Sequence, residues 1–334
     1  MTVDKIIIRG PNWVGDSVLA VPAMKSVRAR YPDAEITLLV RPWVAGLFTS
    51  APFIDRVWNE PRPCGLSDWA RITSRIRAEH FAASILFPNS FESALMMFLG
   101  RVPVRIGYAT DGRSMLLTEA VAKPEDKTRH LVHYYLGLAP TNVPPSIEIA
   151  ATAEEKAEAR RLLVEAGIQS GERFVVLNPG AAYGSAKRWS EDRFAEVGDR
   201  LGAELGLRVV VVGSAKESRT AEEIRRNAKT PVVVLTGKTT LESLIGLLSE
   251  AALMVTNDSG PMHIAAAVGT PTVAIFGPTD ERVTAPFSEK TRVVKEPVDC
   301  SPCLLRECPI DHRCMTRVTP DHVVRAAKDL LANG

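Results

Sequence analysis

The chain reads as an α/β protein of two doubly wound units in tandem, and three features of the sequence point there. Short apolar runs of strand length alternate with segments of helical spacing, first from Lys5 to Tyr108 and again from Phe174 to Phe276. A proline-bearing stretch, Ala139 to Ala150 with Pro140, Pro144 and Pro145, separates the two series as a linker would. The apolar runs end on polar or glycine-containing loops that open helices, and open α/β sheets bind ligands beyond the carboxyl ends of their strands.

A length of 334 residues is enough for two domains with separate cores. The expected division is 1–150 and 151–319, with a terminal helix over 320–334 whose apolar residues Val323, Val324, Ala327, Leu330 and Leu331 suit packing back on the first domain. Hydrophobic residues make up 46% and charged residues 24%, and the formal net charge is +2, which describes a soluble globular protein without the footprint of a nucleic-acid binder. Met1-Thr2-Val3-Asp4-Lys5 runs straight into a strand rather than into an export signal, and no apolar run reaches the roughly 18 residues of a membrane span. A cytoplasmic location is expected.

In the first series Lys5 to Gly10 is a short buried strand, and Ser17 to Tyr31 has helical spacing through Leu19, Val21, Met24 and Val27. Between them Pro11-Asn12-Trp13-Val14-Gly15-Asp16 forms a glycine-containing loop that ends on an acid at a helix start. Strands are expected at Glu35 to Val40, Arg56 to Trp58, Ala82 to Phe87 and Val104 to Tyr108, with helices near Trp43 to Ser50, Leu66 to Glu79 and Phe91 to Leu99. This alternation implies a mostly parallel sheet. Arg101 to His133 is less regular and carries Arg101, Arg105, Arg113, Lys123, Lys127 and Arg129, which fits either a solvated loop surface or a platform for an acidic acceptor.

In the second series Thr152 and Glu155 have the spacing of a capping box opening a helix to about Gly167. Strands follow at Phe174 to Asn178, Arg208 to Gly213, Val232 to Leu235, Leu253 to Thr256 and Thr272 to Phe276. Neither first loop carries Gly-x-Gly-x-x-Gly, so a dehydrogenase is not indicated. The loop after Asn178 instead offers Gly180, Ala181, Ala182 and Gly184, which allow close backbone approach, followed by the positive charges of Lys187 and Arg188. Farther on, the apolar run ending at Val255 turns through Asn257-Asp258-Ser259-Gly260-Pro261 into a helix. The unpaired N–H groups and dipole of that helix start attract anions; Asp258 or Ser259 can cap it, Pro261 fits its first turn, and His263 lies about one turn in. Two anion-binding elements at one sheet edge make a site for a diphosphate.

Four segments in this order, Asn12 to Asp16, Gly180 to Trp189, Asn257 to His263 and Cys300 to Met315, resemble the lipopolysaccharide heptosyltransferases of glycosyltransferase family 9, most closely the heptosyltransferase II branch that adds the second inner-core heptose. The resemblance covers nearly the whole chain. It implies the GT-B fold, two Rossmann-like domains facing across a cleft, and an inverting transfer from ADP-L-glycero-D-manno-heptose to the first heptose of the lipopolysaccharide inner core. The donor is expected at Gly180, Ala181, Ala182, Ser185, Asp258, Ser259, Gly260, Pro261 and His263, and the acceptor at Asn12, Trp13, Arg105 and Arg113. Asp16 matches the family's proposed base and Lys187 its leaving-group lysine, whereas in isolation they read as a helix N-cap and a surface lysine. No cofactor is expected. The lipid-anchored acceptor implies contact with the inner face of the cytoplasmic membrane.

No Asp-x-Asp pair occurs, so a carboxylate clamp for a divalent cation has no candidate. Cys300, Cys303, Cys308 and Cys314 have ligand-like spacing with His312 among them, and the choice left open is between a structural metal and an ordered loop of free thiols. Cys64 stands alone. The rival readings are a sugar-nucleotide epimerase of the same fold and a non-catalytic sugar-nucleotide-binding protein; dependence on an acceptor separates them from a transferase.

Overall fold

The computed structural model describes residues 3–139 and 144–332. They form two compact units that divide between Ile147 and Glu148, within the stretch expected to link them. Pro140 of that stretch lies outside the described residues.

The first unit runs β1 (Lys5–Arg9), α1 (Val14–Leu19), α2 (Val21–Arg30), β2 (Glu35–Val40), α3 (Pro42–Ala45), β3 (Arg56–Asn59), α4 (Leu66–Ala78), β4 (Ala83–Leu86), α5 (Phe91–Leu99), β5 (Val104–Tyr108), β6 (Glu119–Val121) and α6 (Leu131–Leu136). The second runs α7 (Ala153–Glu165), β7 (Phe174–Asn178), α8 (Glu191–Leu205), β8 (Arg208–Val211), α9 (Ser218–Asn227), β9 (Val232–Val234), α10 (Leu241–Glu250), β10 (Leu253–Asn257), α11 (Gly260–Ala267), β11 (Thr272–Ile275), α12 (Glu281–Thr284), β12 (Thr291–Val294), α13 (Arg313–Thr316) and α14 (Pro320–Ala332).

Each unit holds a six-stranded sheet, in the orders β3-β2-β1-β4-β5-β6 and β12-β11-β10-β7-β8-β9. All the pairings are parallel. Parallel strands are covered on both faces and therefore read as unbroken apolar runs, as in Ile6-Ile7-Ile8 and Val209-Val210-Val211, which are buried throughout. The strand order reverses between β1 and β4 in one unit and between β10 and β7 in the other. At such a point the flanking connections diverge to opposite faces and leave a crevice beyond the strand ends.

Departures from the sequence expectations have local causes. The helix expected over Ser17 to Tyr31 is two helices, α1 and α2, which meet at Ala20; Pro22 lies in the first turn of α2, where a missing N–H leaves no bond unmade. The edge strands β6 and β12 and the short helix α6 fall where no element was expected. Glu119-Ala120-Val121 is not buried and so carries no apolar signal. The capping box at Thr152 and Glu155 forms as expected.

The terminal helix forms, but its apolar face has a different destination from the one expected. Val323, Val324, Ala327 and Leu330 are buried in one cluster with Val197 and Leu201 of α8 and Val273 and Ile275 of β11. The face expected to cover the first domain is thus taken up by the core of the second unit.

Candidate active site

The reversal point of the first unit carries Asp16. It lies in the first turn of α1, whose N-cap is Trp13, so it is not the capping residue. Its carboxylate Oδ1 accepts a hydrogen bond of 3.1 Å from the phenol of Tyr135 on α6. The preceding loop is shaped from below by the buried Arg9, which donates to the Gly10 carbonyl and to Asn12 Oδ1. Burial and the nearby Arg41 push the Arg9 guanidinium down to about 9. Trp43 Nε1 donates to the Asn12 carbonyl at 2.8 Å, and Trp13 is left 60% exposed.

Two residues expected on the acceptor platform have other work. Arg113 is completely buried and donates to the Tyr108 carbonyl at 3.0 Å and to Ser93 Oγ at 2.9 Å, tying β5 to α5. Arg105 donates to the carbonyls of Leu116 and Val102, so it braces its own loop. Their charge read as a surface feature in sequence; their guanidinium groups instead satisfy carbonyls that turns leave unpaired.

The second unit's reversal point is cross-linked by its asparagines. Asn178, at the end of β7, donates to Thr256 Oγ1 at 2.9 Å and Ser259 Oγ at 2.8 Å. Asn257, at the end of β10, donates to the Pro179 carbonyl at 2.7 Å and accepts from the Trp189 amide at 3.2 Å. These bonds hold the glycine loop against the start of α11. A Cβ on Gly184 would fall 2.2 Å from the Arg306 carbonyl oxygen, which is backbone, so glycine is needed there, whereas one on Gly180 would displace the carboxylate end of Glu217, 1.9 Å away.

Lys187 and Asp258 meet in this crevice. Lys187 Nζ lies 2.6 Å from Asp258 Oδ2 and 4.9 Å from the Tyr183 ring centroid, and Thr279 Oγ1 donates to the same carboxylate oxygen at 2.6 Å. Both charged side chains are largely buried, so Lys187 is not a surface lysine. Ser259 occupies the N-cap of α11 without a capping side-chain bond, Gly260 and Pro261 form its first turn, and His263 is buried one turn in. Of the other expected donor residues, Ala181 is buried, Ala182 is exposed, and Ser185 opens the short 3-10 turn that carries Lys187.

The cysteine segment straps this region. The amides of Cys303 and Leu304 donate to the Pro278 carbonyl, the Ala186 amide donates to the Arg306 carbonyl at 3.0 Å, and Tyr183 Oη donates to the Leu304 carbonyl at 2.8 Å. His312 Nε2 pairs with the Ala186 carbonyl at 2.7 Å. Cys300, Cys303, Cys308 and Cys314 are all free, and burial pushes the Cys314 thiol upward. Among the described residues no three His, Cys, Asp or Glu side chains are arranged to hold a metal ion. Backbone hydrogen bonds order the segment.

Reasoning from the sequence missed Tyr135, Asn178, Asn257 and Thr279. For the asparagines a signal existed, since a polar residue ending a buried parallel strand points at the ligand edge of the sheet. Tyr135 sits on a helix too short for periodicity to reveal.

Two parallel sheets of this order, one reversal point carrying a carboxylate and the other a lysine beside an uncapped helix start, define a two-domain enzyme of the GT-B class that handles nucleotide-activated sugars. The model of glycosyltransferase family 9 (heptosyltransferase) matches residues 69–313, and the chain belongs to that family. Lipopolysaccharide heptosyltransferase 2 of Salmonella typhimurium is 30% identical over 306 residues, covering 87% of this chain and 88% of the relative. Lipooligosaccharide heptosyltransferase 2 of Campylobacter jejuni serotype O:2 is 30% identical over 339 residues, covering 98% and 99%. The solved structure of Escherichia coli ADP-heptose lipopolysaccharide heptosyltransferase II is 28% identical, with a TM-score of 0.84 over 98% of this chain and 99% of that one. The protein is a glycosyltransferase.

Proposed function

We propose that the enzyme transfers heptose from ADP-L-glycero-D-manno-heptose to the first heptose of the lipopolysaccharide inner core, by one inverting displacement. The observation that carries this reading is the opposite chemistry at the two reversal points, Asp16 in one and the Lys187–Asp258 pair in the other. Asp16 takes the proton of the acceptor hydroxyl as its oxygen attacks the anomeric carbon. The bond from that carbon to the diphosphate breaks on the opposite face, and ADP leaves as an anion.

Lys187 meets the developing charge together with the N–H groups at the start of α11. Asp258, itself held by Thr279, orients the lysine. This arrangement supplies the charge that a divalent cation supplies in other glycosyltransferases, so transfer is expected without one. Asn12 and the exposed Trp13 border the acceptor. No helix among the described residues is long and apolar enough to cross a membrane, and the lipid-anchored acceptor is reached by peripheral contact with the inner face of the cytoplasmic membrane.

The test is ADP release from ADP-heptose with and without a core acceptor carrying one heptose, in EDTA. Acceptor-dependent release that survives the chelator supports the reading. Conversion of the nucleotide sugar to an isomer without acceptor and without net ADP release would replace it with an epimerase.

A further inference from the structure

Tyr135 donates to Asp16, and its own position is fixed from several sides. Its ring meets Phe87, just past the end of β4, edge-on at 5.5 Å, and Tyr134 edge-on at 5.6 Å. Tyr134 is in turn held by Asn89, to which its phenol donates at 2.9 Å, and by Tyr108, whose phenol donates to the Tyr134 carbonyl at 2.5 Å. The phenol that reaches Asp16 is therefore the end of an aromatic tier built at the ends of β4 and β5.

We propose that Tyr135 is a positioning residue for transfer, holding the Asp16 carboxylate in one orientation and in its ionised form; this rests on the reading of Asp16 as the base. A phenol that donates to a carboxylate favours the anion, and a carboxylate has acceptor capacity beyond one bond with which to receive a second proton donor. Burial, Asp16 and Tyr134 together push the Tyr135 phenol far above its ordinary value, so it stays protonated and only donates. The other titratable groups of α6 are Tyr134, whose phenol burial pushes upward, and His133, which burial and Arg129 push toward the neutral form. Without Tyr135, the half-buried carboxylate in the first turn of α1 loses this donor and protonates at higher pH.

The test compares Tyr135→Phe, Asp16→Asn and the double variant in acceptor-dependent transfer across pH. Tyr135→Phe keeps the ring packing, and the expected result is a loss of about 10- to 100-fold in kcat, with KM for both substrates within about twofold. The acid limb of its kcat/KM profile moves up by about one pH unit, because the carboxylate has lost a donor that favours its charged form. In the Asp16→Asn background the same substitution costs no further rate. Replacing Tyr135 by 3-fluorotyrosine, a stronger donor of the same shape, moves the limb to lower pH and keeps the question answerable if the phenylalanine variant folds poorly. A parental kcat and an unmoved acid limb alongside an inactive Asp16→Asn enzyme would overturn the positioning role alone. Full activity in Asp16→Asn would overturn the base assignment and this inference with it. A tyrosine that served stability only would lower the melting temperature and leave the limb in place.

Discussion

The two units share a strand order and differ at the point where that order reverses. In the first unit the crevice presents a carboxylate with a phenol behind it, and Arg9 and Arg113 are buried and donate to backbone carbonyls and local side chains. In the second it presents a lysine paired with a carboxylate, a glycine loop and a helix start left open by its own cap. On the reading proposed above, one topology therefore builds a site to receive a proton and another to hold a diphosphate. The fold supplies the crevice, and a few side chains at strand ends decide its chemistry.

The sharpest way to break the contrast is to remove the charge from the first crevice. Asp16→Asn is expected to lower kcat by about 1,000-fold with little change in donor affinity, read by steady-state ADP release and by binding of ADP. Lys187→Met attacks the second crevice; kcat should fall by about 100-fold or more, and ADP affinity should weaken with it, since the lysine serves both bound donor and departing ADP. If Lys187→Met altered acceptor KM and left ADP binding intact, the two crevices would have to exchange roles.

Smaller effects test how the second crevice is built. Gly184→Ala drives a Cβ into the Arg306 carbonyl, which must push the glycine loop and the cysteine strap apart, and kcat/KM for the donor should drop about 10- to 100-fold. Thr279→Val removes one hydrogen bond from Asp258 while Lys187 remains, so a loss of about fivefold is expected in the same assay. The smallest effect lies away from both crevices. Glu79 is held down to about 2, chiefly by its hydrogen bond with Arg56. A depressed carboxylate stabilises the fold above its unfolded value of about 4.3 and loses that contribution as pH falls toward 2. Glu79→Gln should therefore lower the melting temperature by about 2 °C at pH 7, discounted for solvent screening of a partly exposed pair, and the gap should close below pH 4. Activity should not change.

Much of this was legible in the chain itself. Buried parallel strands are continuous apolar runs, so β1, β2, β7 and β8 stand out by composition, and the glycines and small residues after Asn178 mark where a backbone comes close to something else. Arg105 and Arg113 show what the chain leaves out: a sequence shows that a residue is charged and says nothing about which carbonyls a turn will leave unpaired around it. The terminal helix was misassigned similarly, since amphipathic spacing establishes that a face will be buried and does not say against what.

What the sequence determined by itself, then, was everything that depends on local pattern: two α/β units, the loops at the strand ends, and the residues able to take a proton or attract a phosphate. Tertiary structure decided which of them meet. Tyr135 reaches Asp16 from 119 positions away and Thr279 reaches Asp258 from 21. Such pairings are set by the order in which strands assemble into a sheet, and strand order is a property of the whole packed core rather than of any segment within it.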